Sequence, residues 1–301
     1  GVHSTELFAD ATIDFLRHQH AGDRPFFSYV SFMAPHDPRT MPDKFLHLYP
    51  ADEIELPANF MSEHPFDNGE LTIRDEVLAA HPRSEAETRE HLAAYYAMIS
   101  HVDHHIGRVL TALDEEGLRD DTIIVFAGDN GLAVGQHGLF GKQSVYDHSV
   151  HVPLIFAGPN IPPGQQRDAL TGLIDIFPTL CDLANVETPD SVEGCSLSPV
   201  FEDEEESVRE YFHFAYRHLM RGVRDEAGLK LIETAVDGAR HTQLFDLAED
   251  PLETRDLSDV GEHVDNLASL REALQAGWCD EYGDTDGEQG QHFWEAMEWA
   301  Q

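Results

Sequence analysis

DTIIVFAGDNG, residues 121–131, is the stretch on which the fold turns. Thr122 to Ala127 is an unbroken apolar, β-branched run, the composition of a strand covered on both faces in a central parallel sheet. Gly128-Asp129-Asn130-Gly131 ends it. Open α/β sheets gather ligands beyond the carboxyl ends of their strands, so the Asp-Asn pair sits where chemistry is expected. Downstream, 152–157 (VPLIFA) reads as a second buried strand closed by Gly158-Pro159. Residues 169–174 read as a further short strand, with Asp175 capping a helix to about 184. Upstream, Leu92, Tyr95, Tyr96, Ile99, Val102, Ile106, Val109, Leu110 and Leu113 recur at helical spacing, which predicts a helix over 85–115 ended by Gly117. Phe26–Met33 (FFSYVSFM) has the aromatic, β-branched composition of another buried strand, and residues 4–18 form an amphipathic helix capped by Ser4 or Thr5.

Between these elements, residues 39–83 are rich in Pro, Asp and His and show no period, which predicts a long excursion with short helices. Beyond about 200 the character changes. The acids from Glu202 to Glu206 read as an exposed linker, and short alternating segments near 211–216, 219–225, 228–235 and 242–247 predict an antiparallel sheet. A helix near 262–282 and an acidic tail over 283–301 follow. The expected architecture is α/β: a doubly wound sheet over 1–200, carrying a smaller α+β subdomain at 201–282.

The chain has 301 residues, 19 Lys and Arg against 57 Asp and Glu, and a formal charge of −38. Nucleic acid and anionic lipid are poor partners for such a surface. No apolar run approaches the roughly 18–20 residues of a membrane span. Cys181, Cys195 and Cys279 are odd in number and widely spaced, indicating neither a disulfide framework nor a metal knuckle, and so few cysteines favour the cytoplasm. The acids are spread along the whole chain, a pattern of halophilic proteins, whose charge is tolerable when screened. The first residue is Gly1, and no targeting peptide is visible, so the chain starts as if in mid-domain. Lysine is scarce: only Lys44, Lys142 and Lys230 occur, so each needs a local reason.

Two strand ends are chemically loaded. One delivers His36, between Pro35 and Pro38; the other delivers Asp129 and Asn130, followed by a glycine-punctuated loop with His137 and Lys142. Asp129 and Asn130 offer a carboxylate and an amide carbonyl, hard oxygen donors suited to Ca²⁺, with Mg²⁺ as the alternative. Lys142 suits an anionic substrate group or a leaving oxygen, and His36 suits anion binding or general acid work. His137 either lines the same pocket or packs within its loop. His101-Val102-Asp103-His104-His105 has two histidines at i,i+4, but Val102 and Ile106 mark that helix as half buried, which favours packing over a zinc site.

With these residues in view, the chain resembles the sulfatase family of the alkaline-phosphatase-like superfamily. The resemblance lies in STELFADATIDFL (4–16), PFFSYVSFMAPHDP (25–38), YYAMISHVDHHIGRVLTALDEEGL (95–118), DTIIVFAGDNG (121–131), GQHGLFGKQSVYDHSVHVPLIFAGP (135–159) and LIDIFPTLCDLA (173–184). QLFDLAEDPLETRDL (243–257) is similar to the family's C-terminal subdomain signature. The resemblance implies hydrolysis of small-molecule or glycan sulfate esters, with Ca²⁺ on Asp129 and Asn130 and with Lys142 and His36 as sulfate-contacting catalytic residues. His137 carries over only as a pocket-lining residue. It also implies a formylglycine nucleophile in a C/S-x-P-x-R segment, and no such segment occurs in these 301 residues. The expectation is therefore the C-terminal portion of a sulfatase, N-terminally incomplete and inactive alone, needing an upstream segment or a second polypeptide. Two alternatives stand beside it: a phosphatase or phosphodiesterase of the same superfamily, and a non-catalytic truncated remnant.

Overall fold

The computed structural model describes residues 2–19, 24–203 and 206–297. Its contacts gather into two compact units. One comprises Gly1–Pro57, Ala79–Val125 and Phe156–Pro159; the other comprises Ala58–Leu78, Phe126–Ile155 and Asn160–Gln301.

The first unit is built on helices α1 (Ser4–Gln19), α2 (Asp43–Leu46) and α3 (Glu85–Glu115). Ser84 caps α3 by accepting the Glu87 N–H at 3.3 Å. The apolar stripes of α1 and α3 meet: Ile13 and Leu16 pack on Ala112 and Leu113, with Phe15, Phe26 and Val109 alongside. Arg108 of α3 donates to Asp10 of α1 at 2.6 Å. The same guanidinium donates to His105 Nδ1 at 2.9 Å. Arginine has no acceptor, so the neutral His105 carries its proton on Nε2, which donates to His101 Nε2 at 3.1 Å. The two α3 histidines are thus hydrogen-bonded in series to Arg108, whose guanidinium ties α3 to Asp10 of α1.

Phe26–Met33 departs from expectation. The segment is extended, but it makes no ladder with any strand among the described residues, and Phe27, Tyr29 and Met33 are 77%, 83% and 69% exposed. Its composition reports a strand built for burial on both faces. Composition cannot report whether a neighbour is there to pair with it.

Strands β1 (Ile124–Ala127) and β2 (Leu154–Ala157) pair as a two-stranded sheet. The second unit holds an antiparallel sheet in the order β3 (Tyr211–Tyr216), β4 (Met220–Asp225), β5 (Leu229–Val236) and β6 (Ala239–Asp246). Its helices are α4 (Asp147–Val150), α5 (Ile176–Leu183), α6 (Ser198–Glu202), α7 (Val264–Gln275) and α8 (Glu288–Ala296). The sheet is buried on both faces. Met220, Ile232, Val236 and Phe245 pack with Ala133, Leu139, Val145 and Tyr146. Val223, Leu231 and Leu244 pack with Leu270 and Leu274 of α7 and with Phe293 and Trp294 of α8.

One further expectation is corrected, and two observations stand beside the expected division near 200 and the expected tail. Residues 169–174 form no strand; Leu173–Asp175 is a 3₁₀ turn leading into α5. The compact units do not divide near 200, because residues 133–146 share a core with β4–β6. The expected acidic tail holds α8, whose Phe293 and Trp294 complete the core under the sheet, while residues 298–301 lie outside the described residues. Residues 204 and 205 of the expected linker also lie outside them.

Candidate active site

Asp129 and Asn130 leave the end of β1 as an exposed turn. Asn130 N–H donates to Asp129 Oδ1 at 2.9 Å, and the Asn130 amide donates to Gly131 O at 2.8 Å. Asp129 Oδ2 and Asn130 Oδ1 accept no hydrogen bond among the described residues, so two hard oxygens remain free. The turn rests on α4. Gly131 N–H donates to Ser149 O at 2.9 Å, and a Cβ at 131 would stand 2.1 Å from His148 O, so only glycine lets the backbones approach this closely.

The strip after the turn pairs with the lysine loop: Ala133 N–H donates to Gly141 O at 2.8 Å and Gly135 N–H to Leu139 O at 2.9 Å. A buried carboxylate holds that loop from behind. Glu76 accepts the Phe140 N–H at 3.0 Å and the Gly141 N–H at 2.8 Å. Gln143 donates to Asp75 at 2.8 Å. Lys142 is half-buried, and its ammonium has no ion-pair or hydrogen-bond partner among the described residues, in a chain with 57 acidic side chains. A cation left unpaired in so acidic a protein is available to an incoming anion.

His137 packs inward. Its ring is stacked on Tyr146, with centroids 4.2 Å apart, and its Nε2 accepts from the Asn59 amide at 3.3 Å. His64 Nδ1 donates to its carbonyl at 2.8 Å. Burial, reinforced by the charges of His64 and Lys230, pushes the His137 pKa down to about 4. The packed ring is one of the two arrangements that the sequence leaves open. The following Gly138, at φ +75°, lies against the Glu63–His64 backbone, where a Cβ would come within 2.4 Å.

His36 belongs to the first unit, whereas Asp129, Asn130, His137 and Lys142 belong to the second. Its side chain is exposed. Nδ1–H donates to the Asp37 carbonyl at 2.9 Å, with Asp37 Oδ1 at 3.1 Å. Nε2 makes no hydrogen bond among the described residues and is an acceptor when the ring is neutral and a donor when it is charged.

The free oxygens of Asp129 and Asn130 are of the right chemistry for Ca²⁺ or Mg²⁺, but they are a fraction of the roughly six to eight ligands that Ca²⁺ takes. No group of three or more His, Cys, Asp or Glu is placed to hold a metal among the described residues. Glu76 is the residue that sequence reading missed. It lies in the aperiodic 39–83 excursion, where no pattern marks a buried acid.

The family model described as sulfatase matches residues 1–186, and that for the C-terminal region of N-sulphoglucosamine sulphohydrolase matches residues 135–278. The chain belongs to the sulfatase family, within the alkaline-phosphatase-like superfamily. It is similar to an arylsulfatase of Clostridium perfringens, 32% identical over 285 residues that cover 91% of this chain and 57% of that protein. It is also similar to a choline-sulfatase of Rhizobium meliloti, 33% identical over 85% of this chain and 51% of that protein. Among solved structures, a phosphonate monoester hydrolase from Silicibacter pomeroyi is 27% identical with a TM-score of 0.77, over 91% of this chain and 60% of that one. The chain spans about half the length of the curated relatives it matches.

Proposed function

We propose that this chain supplies the cation-binding and anion-binding side of a sulfate-ester hydrolase whose nucleophile comes from polypeptide outside these 301 residues. The observation that carries the reading is the pairing of two free hard oxygens, on Asp129 and Asn130, with the unpartnered ammonium of Lys142 on the adjoining loop. Asp129 and Asn130 would hold Ca²⁺ or Mg²⁺ through side-chain oxygen. When bound, the ion supplies positive charge that polarises the ester oxygens. Lys142 orients the sulfate and stabilises charge that builds on its oxygens. For His36, in the other unit, the role is the one that the family resemblance implies, contact with an anionic oxygen or transfer of a proton to the leaving group. Glu76 keeps the Lys142 loop in place. The nucleophile is a formylglycine made from Cys or Ser in a C/S-x-P-x-R segment, which this sequence does not contain. The substrate is a small-molecule or glycan sulfate ester, and the scarcity of cysteine favours the cytoplasm slightly.

A second reading, ester hydrolysis at phosphorus, is favoured by the likeness to the phosphonate monoester hydrolase. Rates on an aryl sulfate and an aryl phosphate separate the two. The 301-residue chain alone is expected to bind Ca²⁺ weakly and to turn over neither ester. Completed with a polypeptide bearing the C/S-x-P-x-R segment, it is expected to prefer the sulfate, and Lys142→Ala to lose about 10²–10³-fold in kcat. Turnover by the chain alone, or preference for the phosphate, overturns the reading.

A further inference from the structure

We propose that Lys230, buried in the C-terminal sheet between Asp147 and Glu253, is a positioning residue for the Asp129–Asn130 turn. The proposal rests on the cation-binding reading above for its consequence, but its structural claim stands on separate contacts.

Lys230 lies on β5 and is fully buried. It is one of three lysines in the chain. Its ammonium donates to Asp147 Oδ1 at 2.6 Å and to Glu253 Oε1 at 2.7 Å, and stands 5.3 Å from the centre of the Phe214 ring. Burial alone would raise the Asp147 pKa; hydrogen bonds and charge from His151 and Lys230 outweigh it and hold that carboxyl below the usual range. Burial dominates at Glu253 and raises it.

The second oxygen of Glu253 does separate work. Oε2 accepts the Asp147 N–H at 2.8 Å, satisfying a donor at the start of α4 that has no partner inside the helix. Glu253 reaches inward from a turn in the PLETR stretch, at φ +55°, where Asp250 accepts the Thr254 and Arg255 N–H groups at 2.7 Å each. Thus Lys230 holds both carboxylates that fix the first residue of α4. Two residues on, the Ser149 carbonyl accepts from Gly131, and the His148 carbonyl abuts it. The path is short: β5 ammonium, two carboxylates, one helical turn, then the turn bearing the free oxygens. It also gives the LAEDPLETRDL stretch a role that its distance in sequence from DNG conceals.

Native-state hydrogen exchange on the 301-residue chain tests this. The Gly131 amide reports the bond to Ser149, and the amides of β4 and β5 report the unit as a whole. Lys230→Met is expected to speed Gly131 exchange about tenfold beyond any change in β4 and β5. Leu270→Ala, a cavity in the same unit, is the control; it is expected to accelerate all of them together. Should Lys230→Met fail to fold, Glu253→Gln, which keeps an oxygen for Lys230, is expected to show the same selective effect at smaller size. Parallel acceleration of Gly131 and the sheet amides in the lysine or glutamate variant overturns the proposal. A Ca²⁺ titration runs beside it, with binding expected to weaken about tenfold in Lys230→Met. A wild-type chain that takes up no Ca²⁺ overturns the cation reading, and the exchange result still decides the placement of the turn.

Discussion

Glu76 shows how much a single side chain can set at this site. One buried carboxylate accepts two adjacent backbone N–H groups and so fixes the loop that presents Lys142. Glu76→Ala leaves both donors unsatisfied and is expected to cost about 2–4 kcal/mol, read as a fall in the urea midpoint. His137 makes an opposite kind of prediction. Its folded pKa is about 4, against an ordinary value of 6.5. Between those values the unfolded chain binds a proton that the folded chain does not, so stability falls as pH falls through that window, by up to about 1.4 kcal/mol per pH unit. His64 and His148 are shifted the same way by burial and steepen the limb. His137→Gln is expected to make the acid limb shallower in unfolding measured from pH 6.5 to 4. The positions of the Asp129–Asn130 turn and of the Lys142 loop were legible in the sequence, because glycines and a strand end frame them. The packing of His137 was not, because a histidine's letter carries no sign of which way its ring turns.

Among the elements, legibility followed period. α3 was expected over 85–115 and runs Glu85–Glu115, and the strands of the C-terminal sheet lie within a few residues of their alternating segments. α8 was hidden. Its apolar residues Phe293 and Trp294, with Met297 just past its end, sit among acids, glutamines and glycine, so composition read as a solvated tail, while the residues themselves are buried under the sheet. Phe293→Ala is expected to cost about 3–5 kcal/mol, the price of a large core truncation, and a loss below about 1 kcal/mol would mean the helix is an accessory. The His101–His105 pair marks the same limit from the other side. The i,i+4 spacing shows that two rings share a face; it does not show that Arg108 sets their proton order and ties them to Asp10.

For the whole molecule, charge governs. With a formal charge of −38, self-repulsion weakens the compact state wherever screening is poor. The Debye length falls from about 10 Å at 0.1 M salt to about 3 Å at 1 M, so Tm is expected to rise with KCl over that range, followed by circular dichroism. A flat or falling Tm would remove the halophilic reading. The sequence told the class of fold well, since family motifs run through most of it, yet it could not tell how the chain's contacts would group, because the core shared by residues 133–146 and β4–β6 joins segments about a hundred residues apart. The bare ribbon at Phe26–Met33 gives that charge a second task. An extended backbone that joins no ladder among the described residues, studded with exposed aromatic rings, is a template onto which another copy can zip. On that reading electrostatic repulsion holds copies of this 301-residue chain apart, and salt that firms each one would also lower the barrier between them. Light scattering should show particle size growing with KCl as Tm climbs, and Tyr29→Lys should uncouple the two.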